Sequence, residues 1–514
     1  MMPAQQEKGT VSLAYLLDGW VTIEQEFWVG TPSVDARNIE QDGVFLAVVG
    51  AQLHGLEHAM QAVERNASVI IYDPAEGGNL LAARLKKQID IPLLALTRLS
   101  EKLSEFAARF YAYPSRELSV IGITGTNGKT SVSHFIAQAL SVSHRCGVIG
   151  TLGWGELSDL QKTINTTPDA VSVQAQLATA LSQDSSTVAM EVSSHGLDQQ
   201  RVKAVEFDAA VFTNLSHDHL DYHQTMEAYG EAKLALFKMP SLKFVVVNED
   251  DSFSENIISV LPPRVEQYGF TRQIGQVKAQ TVVILNQHLS EQGVSFDVKY
   301  QGQQAHISSA LFGVFNVDNL AATLTTLLAM GDSLDEATIK LKRVSSVAGR
   351  MQLLTEHLGQ PSVIIDYAHT PEALKLALNS LREHCKGQLK LVFGCGGNRD
   401  QAKRPLMGDI ASKLADQVIV TNDNPRSENG EQIAEQIKAG AKGSASLSIE
   451  LDRAKAIQQL VASSTSDDII LVAGKGHEDY QQIADQKIPF NDAKQTLSAL
   501  DRQFEKATKL GAKL

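Results

Sequence analysis

Ile121-Gly122-Ile123-Thr124-Gly125-Thr126-Asn127-Gly128-Lys129-Thr130-Ser131 carries an apolar strand into a glycine-bracketed turn that ends Gly-Lys-Thr. To enclose a phosphate, backbone N–H groups must converge on its oxygens, a helix N-terminus must face it, and glycines must let the main chain approach. Gly125 and Gly128 supply the approach, Lys129 is long enough to reach the β and γ phosphates, and the Thr130 hydroxyl suits Mg²⁺. The strict G-x-x-x-x-G-K-[ST] spacing is broken, because position 123 is Ile and Gly122 falls one residue early. An isolated Gly-Lys-Thr is often only a turn before a helix. Here 118–123 reads as a buried strand and 132–140 as an apolar-rich helix, so the expectation is a nucleotide site.

Downstream, Thr187-Val188-Ala189-Met190-Glu191 is an apolar strand ending in a carboxylate, the place where nucleotide enzymes hold a metal ligand opposite the phosphate loop. Taken alone, such a residue is more often a cap or a surface group. Asn214-Leu215-Ser216-His217-Asp218-His219-Leu220-Asp221-Tyr222-His223 packs three histidines and two aspartates into seven residues just after another apolar run. That density at a strand end marks an ion or phosphate site. With no cysteine nearby and a phosphate already implied, magnesium is favoured over zinc.

The 514 residues suggest about three domains. A composition of 43% hydrophobic and 20% charged residues is that of a soluble globular protein. No run reaches the length of a membrane span, and Met1-Met2-Pro3-Ala4-Gln5-Gln6-Glu7-Lys8 lacks the form of a signal peptide, so a cytoplasmic location is expected. Cys146, Cys385 and Cys395 have no metal-ligand spacing and fit a reducing compartment. A net charge of −13 argues against nucleic acid as a partner.

Alternating strand and helix patterns predict an α/β fold in three parts: a small α/β domain over 1–115, a central parallel-sheet phosphate-loop domain over 116–345, and a Rossmann-like domain over 346–514. The stretch 277–307 reads as a β-rich insertion before a helix near Asn316, and the Lys-rich tail from 502 as solvated helix or fray. Gly394-Cys395-Gly396-Gly397-Asn398-Arg399-Asp400, Asp423-Asn424-Pro425-Arg426 and Gly474-Lys475-Gly476-His477-Glu478 each follow an apolar strand. All three loops should therefore emerge at one edge of a parallel sheet, where ligands bind. By itself Asp-Asn-Pro-Arg would be an Asx-Pro turn.

The motifs at 124–130, 191–196, 214–223, 313–319, 349–351 and 366–371 occur in the order seen in the Mur ligases, the ATP-dependent amino-acid ligases of peptidoglycan precursor synthesis, and the resemblance spans nearly the whole chain. It accounts for the altered phosphate-loop spacing, because that family uses Thr-Gly-Thr-Asn-Gly-Lys. It implies addition of meso-2,6-diaminopimelate to UDP-N-acetylmuramoyl-L-alanyl-D-glutamate through an acyl phosphate, by a monomer that neither inserts in a membrane nor binds nucleic acid.

Residue by residue, the resemblance implies ATP contacts at Thr124, Gly125, Thr126, Asn127, Gly128, Lys129, Thr130, Ser131, Asn316, Asn319 and Arg350, with Mg²⁺ as cofactor. Catalytic and metal roles fall to Lys129, Thr130, Glu191, His219 and Lys233, the last as a carbamate. On residue type alone Lys233 would be a solvated helix residue. The nucleotide-sugar contacts map to Val34, Ala36, Ala51, Gln52, Leu53, Thr166, Thr167, Ser193, Gln199 and Arg201; the family commonly has a serine where Ala36 stands. The amino-acid pocket maps to His369, Arg399, Asp423, Asn424, Pro425, Arg426, Gly474 and Glu478. Arg426 suits the distal carboxylate of diaminopimelate, because a planar guanidinium offers two aligned donors. Glu478 would meet the distal ammonium. Two other readings stay open: a ligase of the same fold that adds lysine or extends folate, and a phosphate-loop protein without ligase chemistry.

Overall fold

The computed structural model describes residues 9–511 apart from 25, 51, 142, 276, 356 and 358. The chain divides into two compact units, residues 1–271 with 325–331, and 272–324 with 332–514.

In the first unit a parallel sheet of β1 (Pro32–Ser33), β2 (Val44–Ala47), β3 (Val69–Tyr72) and β4 (Leu93–Ala95) runs in sequence order. Its two central strands are apolar throughout, and successive residues enter opposite cores: Val44, Leu46, Val69 and Ile71 on one face, Phe45, Ala47, Ile70 and Tyr72 on the other. The first of these cores also takes Phe106 from α1 (Leu99–Phe110) and Val171 from α3 (Ala170–Ser182), which ties the small sheet to the layer that follows.

That layer contains β5 (Ser119–Thr124), α2 (Lys129–Leu140), β6 (Cys146–Gly150), β7 (Gly153–Gly155), β8 (Thr187–Glu191), α4 (Ser194–Asp198), β9 (Ala209–Phe212), α5 (Met226–Phe237), β10 (Phe244–Asn248) and β11 (Glu266–Thr271). The strand order is β11-β10-β9-β5-β8-β6-β7, all parallel except β7. The phosphate-loop strand β5 lies between β8 and β9, so Glu191 and the 213–223 segment flank the loop at the carboxyl edge.

The second unit opens with an antiparallel meander, β12 (Thr281–Ser290), β13 (Gly293–Tyr300) and β14 (Gln303–Ser309), as the β-rich reading of this stretch expected. Helix α6 (Phe315–Ala329) follows. A six-stranded sheet has the order β15 (Gln352–Leu354), β16 (Ser362–Asp366), β20 (Ile469–Ala473), β17 (Leu389–Phe393), β18 (Gln417–Val420), β19 (Ser446–Ile449), with only β15 antiparallel. Ile364, Leu391, Val418 and Leu471 enter the core beneath helices Pro371–Arg382, Lys403–Leu414 and Gly430–Ala439. Their neighbours Ile365, Val392, Ile419 and Val472 enter the opposite core, beneath Arg453–Ala462 and Asp492–Gly511. Strands buried on both faces read as continuous apolar runs, which is why this sheet was predictable. The Lys-rich tail closes the last helix, and residues 512–514 lie outside the described residues. Among the described residues, no helix is long and apolar enough to cross a membrane, and all three cysteines are free thiols.

Candidate functional site

At the end of β5, Gly125 takes φ +149°, and a Cβ built there would lie 1.9 Å from Thr213 Oγ1. Only glycine allows the loop this close to the end of β9. The loop is then pinned from that side: Thr213 Oγ1 donates to Asn127 O (2.5 Å), Asn127 N donates to Asn214 Oδ1 (3.0 Å), and Ser216 N donates to Thr126 Oγ1 (2.9 Å).

Two lysines meet on one carbonyl. Lys129 Nζ donates to Gly125 O (2.7 Å) and Thr126 O (2.8 Å), and Lys233 Nζ donates to Gly125 O (3.0 Å). Lys233 corrects the residue-type expectation of a solvated side chain, being only 1% exposed. It sits one helical turn after Tyr229 on the inward face of α5, with Nζ 4.4 Å from that ring. Burial, reinforced by Lys129, holds its ammonium well below the usual lysine range.

Glu191 is 0% exposed, not a surface or capping acid. Oε2 accepts from Thr130 Oγ1 (2.9 Å) and Thr151 Oγ1 (3.1 Å), and Oε1 from Thr151 N (2.8 Å). The histidine-rich segment contributes unevenly. His217 is exposed, whereas His219 is half-buried with its ring edge-on to Tyr229 (5.8 Å) and to His195 (5.1 Å). His195 lies 4.1 Å from Tyr222 and 5.4 Å from His223. Burial lowers the pKa of His195, His219 and His223, so the neutral ring is the favoured form of these three. Among the described residues no three His, Cys, Asp or Glu groups are set to hold a metal by themselves. The donors at hand, Thr130 Oγ1 and the Glu191 carboxylate, are hard oxygens, which fits Mg²⁺ sharing its shell with phosphate.

Residues expected from the sequence to contact the nucleotide sugar adjoin this carboxylate. Thr166 Oγ1 shares a hydrogen bond with Thr151 Oγ1 (2.9 Å); Thr167 Oγ1 donates to Glu191 O (2.9 Å) and accepts from Ser193 N (2.9 Å). Arg201 Nη1 donates to Thr167 O (2.6 Å), and its Nε and Nη2 hold Gln199 Oε1 at 3.0 and 2.6 Å. The positions expected for the uridine end offer fewer side-chain groups. Ala36 is buried in the core with Phe45 and Leu56, so its side chain offers a ligand nothing and only its backbone could serve. Val34 is half-buried, Gln52 and Leu53 are exposed, and Ala51 lies outside the described residues.

In the second unit, the loops after β17, β18 and β20 leave one edge of the sheet, as expected from the sequence, and the loop after β16 leaves the same edge. Asp423 is buried behind the edge, where burial raises its carboxyl pKa, and Lys475 Nζ stands 3.8 Å away. Asn424 Nδ2 and Lys475 Nζ both donate to Glu478 Oε2, each at 2.9 Å. Pro425 is buried beside them, and a Cβ on Gly474 would meet Asp423 Oδ2 at 2.8 Å. Arg426 takes φ +52° and is fixed by main-chain bonds to the hairpin of β21 (Tyr480–Ile483) and β22 (Gln486–Pro489): Arg426 N donates to Gln482 O (3.1 Å) and Ala484 N to Arg426 O (2.7 Å). Its Nη1 donates to Gly397 O (2.7 Å), which aims the guanidinium along the 394–400 loop, where Arg399 is exposed.

Arg350 packs its guanidinium on Tyr367 (4.9 Å), and His369 Nδ1 lies 2.9 Å from Tyr367 O. Gly349 precedes it at φ +66°, where a Cβ would fall 2.3 Å from His477 N, so glycine alone lets this turn lie against the 474–478 loop. Asn316 and Asn319 are buried and engaged with each other, Asn319 Nδ2 donating to Asn316 Oδ1 (2.9 Å). Ser131 lies in the first turn of α2, and Thr124 is buried at the end of β5.

Four residues that the sequence reading did not single out complete these sites: Thr151, His195, Tyr229 and Lys475. His195 and Lys475 lie inside motifs that were noticed, while Thr151 and Tyr229 act through contacts across the sheet that no local pattern announces.

Comparison with known proteins agrees with this geometry. The family models for the Mur ligase middle domain and the Mur ligase glutamate ligase domain match residues 123–327 and 349–476. UDP-N-acetylmuramoyl-L-alanyl-D-glutamate--2,6-diaminopimelate ligase from Coxiella burnetii is 44% identical over 468 residues, covering 91% of this chain and 94% of that protein. The enzyme of the same name from Pseudomonas aeruginosa is 42% identical over 479 residues, covering 93% and 96%. A solved structure bearing that name superposes with TM-score 0.70 at 32% identity, covering 96% of this chain and 99% of its own. With both family models matched and relatives this similar along nearly their whole length, the chain belongs to the Mur ligase family.

Proposed function

We propose that this protein is the ATP-dependent ligase that joins meso-2,6-diaminopimelate to UDP-N-acetylmuramoyl-L-alanyl-D-glutamate, acting as a cytoplasmic monomer in peptidoglycan precursor synthesis. The observation that carries this reading is that Arg426 and Glu478 are fixed on loops of the same sheet edge, Arg426 by Gly397 O and Gln482, and Glu478 by Asn424, which Gln482 also holds. A guanidinium and a carboxylate at one sheet edge match a distal centre that bears both carboxylate and ammonium; lysine would leave the guanidinium unpaired. The relatives named as diaminopimelate ligases support the same choice over a folate-extending enzyme.

Residues 1–115 take the UDP-sugar, 116–345 the ATP and 346–514 the amino acid. Lys129 and the 125–128 amides bind the β and γ phosphates and offset the repulsion between triphosphate and the terminal D-glutamyl carboxylate. Thr130, Glu191, His219 and a carbamylated Lys233 would hold Mg²⁺, which supplies further charge neutralisation. Burial gives Lys233 the neutral amine that adds CO₂, and Tyr229 beneath it keeps water away. Arg350, Asn316 and Asn319 bind the nucleotide, and His369 and Arg399 border the amino-acid pocket. Thr166, Thr167, Ser193, Gln199 and Arg201 orient the dipeptide so that its carboxylate can receive the γ-phosphoryl group. Asp423, Asn424, Arg426 and Glu478 then hold diaminopimelate while its amine attacks the acyl phosphate.

The test is phosphate release by purified protein. Release should require ATP, the UDP-sugar dipeptide and meso-diaminopimelate together. Equal release with lysine would overturn the amino-acid assignment, and ATP binding without release under any combination would favour a non-catalytic phosphate-loop protein.

A further inference from the structure

Lys475 is fully buried, yet a lysine ammonium out of water needs acceptors on every side. It has them: Nζ donates to Asn424 Oδ1 (3.1 Å) and Glu478 Oε2 (2.9 Å), lies 3.8 Å from Asp423 Oδ1, and faces the Tyr480 ring at 5.6 Å. Its partners are the residues assigned to the amino-acid pocket.

This arrangement settles two orientations. Asn424 Oδ1 accepts from both Lys475 Nζ and Gln482 N (2.8 Å), so the Asn424 amide is turned with Nδ2 towards Glu478. Glu478 Oε2 in turn receives two donors, which leaves Oε1 as the oxygen facing an incoming ammonium. Lys475 also stands between two carboxylates, Asp423 and Glu478, whose mutual repulsion would otherwise spread the loops after β18 and β20.

We propose that Lys475 is a positioning residue for the amino-acid substrate, aligning Asn424 and Glu478 without touching the ligand itself. The proposal rests on the assignment of these loops to the diaminopimelate pocket. Its expected signature is selective: the pocket for the amino acid loosens while the nucleotide and UDP-sugar sites, built from other residues, keep their affinity.

The experiment is steady-state kinetics of full-length Lys475→Met, which keeps the buried stem and removes the ammonium. KM for meso-diaminopimelate should rise at least about tenfold, with KM for ATP and for the UDP-sugar dipeptide within about twofold of wild type. Lys475→Arg, which keeps the charge but changes its shape, should fall between the two. An unchanged KM for diaminopimelate, or a fall in kcat with every KM unchanged, would overturn the proposal, since both are what a purely structural lysine would give. If Lys475→Met does not fold, Lys475→Gln decides on the same criterion. If wild type fails to turn over diaminopimelate while accepting another amino acid, the pocket assignment fails first, and that result is distinct from either kinetic outcome.

Discussion

The phosphate-loop edge of the first unit and the sheet edge of the second that is proposed to take the amino acid solve opposite electrostatic problems. At the first, Lys129 and Lys233 converge on a single carbonyl, and one of the two is buried far enough that its ammonium is disfavoured. The second edge encloses its own counter-charges: Asp423 and Glu478 share Lys475, and Arg453 and Asp492 form an ion pair buried behind them (2.7 Å). On the proposed function, the first edge would gain its affinity from anions that arrive, whereas the second, which holds its own counter-charges, would gain its selectivity from geometry. Substitutions at the two edges should fail in different ways.

The largest effect is expected at the first edge. Lys129→Ala should lower kcat/KM by about a hundredfold or more, because a preorganised cation facing developing charge is lost; retention of near wild-type kcat/KM would show that Lys233 or metal suffices. Thr151→Val follows, since it removes the hydroxyl that touches both Glu191 and Thr166. Loss of a group that orients a ligating carboxylate should reduce activity about 10–100-fold, with the Mg²⁺ requirement shifted to higher concentration. An unchanged Mg²⁺ titration would detach Glu191 from metal.

At the second edge, Arg426→Ala should raise KM for diaminopimelate about 10–100-fold, the value of one charge-assisted bidentate pair, and leave KM for ATP alone. Equal changes in both would erase the distinction between the edges. The smallest effect is on stability. Because the Lys233 pKa lies well below 10.5 in the folded protein, the unfolded chain binds more protons between the two values. Stability should therefore fall as pH drops from about 10.5 towards the folded value and be flat below it. In CO₂-free buffer, where the amine carries no carbamate, Lys233→Met should remove that slope, measured as the difference in urea midpoint between mutant and wild type across pH; parallel profiles would mean that Lys233 titrates normally.

Much of this was legible in the chain itself. The strand, glycine bracket and Gly-Lys-Thr of 119–130 act through backbone conformation, which local sequence encodes directly. The second sheet was equally clear, since strands buried on both faces are continuous apolar runs between loops rich in glycine and Asx. What stayed hidden depends on tertiary burial. Nothing in Glu231-Ala232-Lys233-Leu234 reveals that the helix turns this lysine under the phosphate loop rather than towards solvent. Likewise Thr151 gains its role only because β6 ends beside β8. Ala36 is hidden for a related reason: the short helical turn directs its methyl group into the core, so only its backbone could meet a ligand.

The most direct test of the account is isotope tracing. With ¹⁸O in the terminal carboxylate of the D-glutamyl residue, turnover with ATP and diaminopimelate should deliver one labelled oxygen into orthophosphate, because the carboxylate is phosphorylated before the amine attacks. Unlabelled orthophosphate released alongside amide product would contradict the acyl-phosphate route.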